Sequence, residues 1–487
     1  MKRASVGMAM ALGALAWPAH GVTSLTECRV AGMRNSVLCG VVKRPLDPAR
    51  PEGTQIDVHY IVVPAMARRK LPDPVFMLAG GPGQSAIALA PTVMGWFSRL
   101  NNRRDIVFVD QRGTGQSAPL ECEDTRRGPL ADQSDADRQF AQLTDCRVRL
   151  QALPYGDLRF FTTVLASQDL DAVRQQLGAE HINLVSGSYG TRAALDYQRQ
   201  FPQAVRRSVL DGVAPPDMAL PASTSTDGQA AFDALLVACE SDAACAAAYP
   251  TLRSDWVKLL ASLPIVATVA HPLTGAPERL RVTREIVLSS VRGPLYGPAL
   301  AAALPAAISA AALGRFEALV GLSTSFSSRR STQLAMGMHF SVVCAEDMPL
   351  LPQALDMPGA DFGREFARLY ERVCAAWPRG AVPAEFYNIP TSRTPVLVLS
   401  GGLDPATPPR HGERVVRALG PRAQHVIVRN AGHGVMGMGC MREVVYRFID
   451  VPDDKNITAL DASCATGVPR PPVFRPISPA AAPASSP

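Results

Sequence analysis

The chain has 487 residues, 47% hydrophobic and 19% charged, with a formal net charge of +6 at neutral pH. That is room for roughly two to three domain equivalents and enough apolar matter for a large packed core, which excludes a disordered chain. Acidic and basic residues are interspersed, with no basic stripe and no aromatic interleaving, so nucleic-acid binding is excluded.

Met1-Lys2-Arg3, an apolar run from Ala4 to Trp17 and the small-residue end Ala19-His20-Gly21 have the layout of a secretory signal peptide, so residues 1–21 are expected to be a cleaved leader. No later segment offers about 20 uninterrupted apolar residues; the richest, Ala299 to Leu313, is alanine-rich and holds Pro305. The mature chain is therefore expected to be periplasmic or secreted, with no membrane span. Its ten cysteines fall into neighbours along the chain: Cys28/Cys39, Cys122/Cys146, Cys239/Cys245, Cys344/Cys374 and Cys440/Cys464. Five short-loop disulfides are the simplest assignment. No pair has C-x-x-C spacing and none sits near a histidine cluster, so no metal and no cofactor are expected.

Cys39 to Val42 and Ile56 to Val63 read as antiparallel strands. Val75 to Ala79 is a short buried strand entering Gly80-Gly81-Pro82-Gly83-Gln84-Ser85, and Asp105 to Val109 another entering Asp110-Gln111-Arg112-Gly113-Thr114-Gly115. A polar insertion with Cys122 and Cys146 follows. Thr163 to Leu177 then shows helical spacing (Val164, Leu165, Leu170, Val173, Leu177), stopped by Gly178. Ile182 to Val185 ends in Ser186-Gly187-Ser188-Tyr189-Gly190-Thr191 and passes at once into the helix formers Arg192-Ala193-Ala194-Leu195; Ser208 to Asp211 is a further strand.

From about Pro215 to Tyr387 this alternation stops, and alanine- and leucine-rich helical patterns dominate. Pro395 to Ser400 and Gln424 to Val428 resume strands, and Met441 to Ile449 suits a closing helix. The expected division is a core over 22–214, a mostly helical cap over 215–387, a second part of the core over 388–467 and a disordered Pro/Ala/Ser tail over 468–487. Strands alternating with helices imply an α/β fold with a doubly wound, mainly parallel sheet. Its chemistry belongs at the carboxyl ends of the strands, where the glycine-rich segments fall.

A serine between a strand and a helix on so tight a turn has its hydroxyl lifted clear of the sheet, provided small residues stand two positions either side. Ser188 meets that condition with Ser186 and Gly190; taking Ser186 as the apex would put bulky Leu184 at the flank. A serine needs a base, and the base an acid. His433, on the glycine-flanked loop Asn430 to Gly434, is the base expected; His59 and His425 lie in strands, His271 and His339 in the cap. Asp404, after the preceding strand, is favoured as the acid, with Asp211 its rival. The oxyanion needs N–H donors: Tyr189, directly after the nucleophile, and Gly81, since Pro82 has none to give.

These pieces resemble the tripeptidyl aminopeptidase and proline iminopeptidase group of serine peptidases, within the α/β-hydrolases. The matching segments are Cys39-Gly-Val-Val-Lys-Arg-Pro-Leu-Asp47, Gly80-Gly-Pro-Gly83, Asp110-Gln-Arg-Gly-Thr-Gly115, Gly187-Ser-Tyr-Gly-Thr191, Leu403-Asp-Pro-Ala-Thr-Pro408 and Gly432-His433. They span about Cys39 to Cys464. Ser186 departs from the usual elbow glycine, and Ala79 stands where proline iminopeptidases usually carry histidine. The resemblance implies an aminopeptidase that releases one to three residues from the free N-terminus of short peptides through an acyl-enzyme. An esterase using the same triad is the alternative. An aminopeptidase must meet an ammonium with a carboxylate. In Val343-Cys-Ala-Glu-Asp-Met-Pro349, similar to a segment of the tripeptidyl-type cap, Glu346 is the first choice and Asp347 the second.

Overall fold

The computed structural model describes residues 25–126, 128–327, 333–452 and 460–475; the expected leader lies outside them. Nine strands form one sheet: β1 (Thr26–Cys28), β2 (Val37–Pro45), β3 (Gln55–Val63), β4 (Val75–Leu78), β5 (Ile106–Val109), β6 (Ile182–Gly187), β7 (Val205–Asp211), β10 (Val396–Gly401) and β11 (Ala423–Val428). Their order is β1-β2-β3-β5-β4-β6-β7-β10-β11. The β1–β2, β2–β3 and β3–β5 pairs are antiparallel, and the β5–β4, β4–β6, β6–β7, β7–β10 and β10–β11 pairs are parallel. The chain has the α/β-hydrolase fold expected of it.

Alternation along the central strands feeds two cores, one on each face. Phe76, Val107, Leu184, Leu210 and Val398 pack on one side; Met77, Phe108, Val185, Val209 and Leu399 pack on the other. With apolar matter on both faces the sheet edge cannot tilt or slip, and the loops at its carboxyl end inherit that rigidity.

The cap has a third core of its own, in which Phe232, Trp256, Val287, Val291, Leu304 and Ile308 are buried together. It is mostly helical, but Ile265–Ala270 (β8) and Pro277–Val282 (β9) pair as an antiparallel hairpin. The β-branched pattern of Ile265, Val266, Thr268 and Val269 wins there over the surrounding alanine-rich sequence.

One expectation is corrected. The start of the tail is not disordered: Asn430 Nδ2 donates to the Val468 carbonyl (2.9 Å) and the Phe474 N–H to the Ala302 carbonyl (2.9 Å). The Tyr249 hydroxyl donates to the Phe474 carbonyl (2.6 Å). Composition is silent on these backbone bonds and on the side chains of Val468 and Val473, which pack against two of the cores. Residues 476–487 lie outside the described residues.

The ten cysteines are joined in five bonds, Cys28–Cys39, Cys122–Cys146, Cys239–Cys245, Cys344–Cys374 and Cys440–Cys464. Among the described residues no helix is long and apolar enough to cross a membrane. Peptide mapping of the protein without reduction should recover those five pairs, each worth about 2–4 kcal/mol to the folded chain. A fragment joining Cys344 to any partner other than Cys374 would refute this connectivity.

Candidate active site

Ser188 stands between β6 and the helix Tyr189–Gln200 at φ +55° and ψ −129°. A non-glycine residue there is strained by about 1–3 kcal/mol and persists only where its surroundings over-determine it. They do so here. The Ser188 N–H donates to the Asp211 carbonyl at the end of β7 (2.9 Å), and the Ser188 carbonyl accepts from the Thr191 N–H and hydroxyl (2.9 and 2.6 Å). The Thr191 hydroxyl in turn accepts from the Ala214 N–H (2.9 Å). Close approach of the backbone requires glycine at position 190, where a Cβ would collide with the carbonyl oxygens of Leu78 and Ala79.

Ser186, the departure from the elbow pattern, is accommodated because its buried hydroxyl donates to the Val209 carbonyl (2.9 Å). A hydroxyl with a partner costs little where a larger side chain would not fit.

The second strand end brings the loop Gly80–Ser85. A Cβ on Gly80 would stand 3.0 Å from the Cβ of Ser188, which places this backbone directly beside the candidate nucleophile. Gln84 closes the turn by accepting from the Gly80 N–H (3.1 Å). The cap grips the loop from outside: the Ala335 N–H donates to the Gly83 carbonyl (2.9 Å), and His339 Nδ1 bonds the Pro82 carbonyl (3.1 Å). Tyr189 is the first residue of its helix, so its N–H is one of the donors that a helix start leaves without an intrahelical partner. Gly81 is the loop residue at φ +114°. Asp110 ties this loop to its neighbour, accepting from the Ser85 hydroxyl (2.6 Å) and the Ile87 N–H (3.0 Å). Gln111 reaches the Tyr189 hydroxyl (2.8 Å), and Arg112 locks onto Asp169. The Asp-Gln-Arg-Gly segment is thus a brace for the site.

The third and fourth ends are those of β10 and β11. Asp404 Oδ1 accepts from the Ala406 and Thr407 N–H groups (2.8 and 2.9 Å), leaving Oδ2 to the Thr407 hydroxyl (2.9 Å) and His433 Nδ1 (2.8 Å). A carboxylate there fixes the tautomer with hydrogen on Nδ1 and leaves Nε2 as the basic nitrogen. The His433 N–H is held by the Tyr296 carbonyl of the cap (2.9 Å), and the two rings meet edge-on at 5.0 Å. A Cβ on Gly212 would stand 3.2 Å from the imidazole Cε1, so the ring lies against the strand end that holds Ser188. Burial works against a charged imidazole, but the Asp404 carboxylate, with Asp211 behind it, holds His433 above the ordinary histidine value. Burial likewise raises Asp404, yet His433 and the Thr407 and Ala406 N–H groups keep it below the usual carboxylate range.

The rival acid Asp211 has a different place. Its carboxylate accepts from the N–H groups of Val435 (2.8 Å) and Met436 (2.8 Å), immediately after His433. Burial pushes it up to about 6, against the pull of those N–H donors.

Glu346 and Asp347 are corrected as contacts for a substrate ammonium. Both are fully buried at the end of the cap helix Met336–Glu346. Asp347 takes a two-pronged ion pair from Arg192 (2.8 and 3.0 Å) and the Leu220 N–H (3.0 Å). Glu346 accepts from the N–H and hydroxyl of Thr163 (2.7 and 2.9 Å), and burial pushes it up to about 7. Their acceptors are spent inside the protein. Arg192, four residues after Ser188, was the overlooked signal: a charged side chain in the first turn of the helix that starts at the elbow, where the chain packs against the sheet, needs a buried partner. Thr407 and Tyr296 were also not legible, since each acts only by standing beside His433. Among the described residues no three or more histidine, cysteine, aspartate or glutamate side chains converge as metal ligands would.

Comparison with known proteins agrees with the fold. Residues 73–234 match a family described as alpha/beta hydrolase fold, and residues 359–464 one described as TAP-like protein. A serine protease named Hip1 from Mycobacterium tuberculosis is 24% identical, over 87% of this chain and 88% of that protein. A tripeptidyl aminopeptidase from Streptomyces lividans is 32% identical over 37% of this chain and 36% of its own. A protein named carboxylesterase B from Mycobacterium tuberculosis is 28% identical over 78% of each chain.

Two outcomes are expected. A reaction that needs neutral His433 should lose rate as pH falls through a midpoint above about 6.5, because the folded protein holds the imidazole above its ordinary value. Asp404→Asn should lower that midpoint and cost about 10⁴-fold in turnover; pH profiles of both proteins check this. Replacing Arg192 by alanine strands two buried carboxylates and should destabilise the fold by about 3–5 kcal/mol in urea titrations, whereas an unchanged midpoint would refute the pairing.

Proposed function

We propose that this serine hydrolase of the α/β-hydrolase fold is an exported aminopeptidase, taking one to three residues from the free N-terminus of short peptides. The observation that carries the reading is Ser188, held at a strained strand-to-helix turn by the Asp211 carbonyl, with a histidine oriented by Asp404 lying against Gly212 at the end of the same strand. In the reading, His433 Nε2 takes the Ser188 proton as the hydroxyl attacks the scissile carbonyl. Asp404 stabilises the imidazolium, and the N–H groups of Tyr189 and Gly81 hold the oxyanion. Collapse gives an acyl-enzyme and passes the proton from His433 to the leaving amine. Water then repeats the cycle. The chain needs no cofactor for any of these steps.

Two of the relatives are named as peptidases, which supports the peptide reading. The five disulfides support export, since such bonds persist in oxidising compartments. A second reading, an esterase acting on small acyl esters through the same residues, is favoured by the relative named carboxylesterase B.

Ser188→Ala should abolish labelling by a fluorophosphonate and cost on the order of 10⁴-fold or more in turnover while the fold is retained; labelling that survives would sink the assignment. Matched chromogenic substrates separate the two readings. Free-amino mono-, di- and tripeptide amides should be cleaved and their N-acetylated forms should not, whereas equal rates on both, or activity confined to a simple acyl ester, would leave the esterase.

A further inference from the structure

A buried guanidinium is costly unless a carboxylate or carbonyl meets it. The chain respects this in its core: Arg104 pairs with Asp73 and Asp450, Arg112 with Asp169, and Arg192 with Asp347. Arg292 is different. It sits in the last turn of the cap helix Arg284–Leu295, partly buried, with its guanidinium 5.3 Å from the ring centre of Tyr296 and 5.8 Å from that of Phe366. Nη2 donates to the Tyr296 hydroxyl (3.0 Å), and Nε is buried with no hydrogen bond. Among the described residues no carboxylate lies within ion-pair distance of it.

Its position ties it to the chemistry. Tyr296, one turn further on, gives its carbonyl to the His433 N–H and its ring edge to the imidazole. The charge of Arg292 opposes protonation of His433 from one side, and acts on the Tyr370 hydroxyl, which bonds His339, on the other. A guanidinium stacked on aromatic rings, with Nε left unpaired and no internal anion, suits donation to a planar, two-oxygen anion. It would repel an ammonium.

We infer that Arg292 is a specificity residue that receives a free carboxylate of the substrate, so that preferred substrates carry a carboxylate beyond the bond that is cut. This deepens the peptidase reading and rests on Ser188 being the nucleophile. In a short peptide the ammonium and the terminal carboxylate lie at opposite ends, so a cationic wall on one side of the scissile bond selects both orientation and length. The carboxylate can come from the peptide's C-terminus or from an acidic side chain.

The test uses the full-length mature protein and three tetrapeptides: one with a free C-terminus, its C-terminal amide, and an amide with a glutamate side chain at the last position. Wild type should prefer the free acid over the plain amide by tenfold or more in kcat/KM. Arg292→Gln, which keeps a donor for Tyr296, should lose roughly 30-fold or more on the free acid, the loss expected when one partner of a desolvated charge pair is removed. The loss on the plain amide should be at least tenfold smaller, and Arg292→Lys should recover part of the preference. If the glutamate amide also depends on Arg292, an acidic side chain is accepted; if it does not, the main-chain terminus is the ligand. Equal losses on acid and amide would overturn the proposal, because a residue that merely supports Tyr296 and His433 affects both alike. No loss on either would overturn it too. Should wild type cleave no peptide but only esters, the peptidase reading fails, and the same variants are then compared on two acyl esters differing only by a free carboxylate. A loss confined to the acidic ester would sustain the role of Arg292, and a uniform loss or none would end it.

Discussion

Asp211 holds the two halves of the candidate site together with its two ends. Its backbone carbonyl accepts the N–H of Ser188, and its side chain accepts the N–H groups that follow His433. A strained serine on one strand end and a histidine on a loop from the far end of the chain are thereby referred to a single rigid point at the tip of β7. The rest of the geometry follows from that point. Asp404 can orient His433 through Nδ1 because the loop carrying the histidine is already fixed. Ser188 can keep a positive φ because the bond that holds it belongs to a central strand packed on both faces. Two acids near one histidine therefore divide the work: one side chain fixes the ring, the other its backbone.

The cap is a structural partner of the loop Gly80–Ser85. Pro82 offers only a carbonyl, so the His339 nitrogen that meets it, Nδ1, carries the hydrogen, and Nε2 accepts from the Tyr370 hydroxyl (2.7 Å). Burial holds His339 below the ordinary histidine value, in keeping with a neutral ring. With Ala335 on the Gly83 carbonyl and an isolated antiparallel bridge between Gln84 and Leu334, the loop is set by contacts from the core and from the cap together. Cap displacement would alter the loop beside Ser188, so the position of these cap segments and the backbone of Gly80–Ser85 are mechanically linked.

The buried charges of the cap root serve the same end. Arg192 leaves the elbow helix to meet Asp347 and Glu346 at the end of a cap helix that the Cys344–Cys374 bond also fastens. Desolvated ions of this kind add little net stability but penalise any arrangement that separates them. Thr163 extends the network from Glu346 to the Tyr189 hydroxyl (2.6 Å), the residue next to the candidate nucleophile.

The sequence by itself determined the fold class, because strand and helix periodicities and the glycine-rich strand ends are local patterns that survive without tertiary information. It also pointed to Ser188, Asp404 and His433, since a strained turn and glycine-flanked loops demand particular residues at particular spacings. The five cysteine pairs were legible for the same reason, each bond closing a short loop. Only the tertiary structure decided what the acids do. Asp211, Glu346 and Asp347 carry the same chemistry in sequence, and their roles depend on whether Val435, Thr163 or Arg192 stands opposite, contacts made between distant segments. The hairpin β8–β9 and the docking of residues 468–475 were hidden likewise, because alanine- and proline-rich composition says nothing of which backbone groups find partners across the fold. Burial and pairing are properties of the packed chain, and no local pattern encodes them.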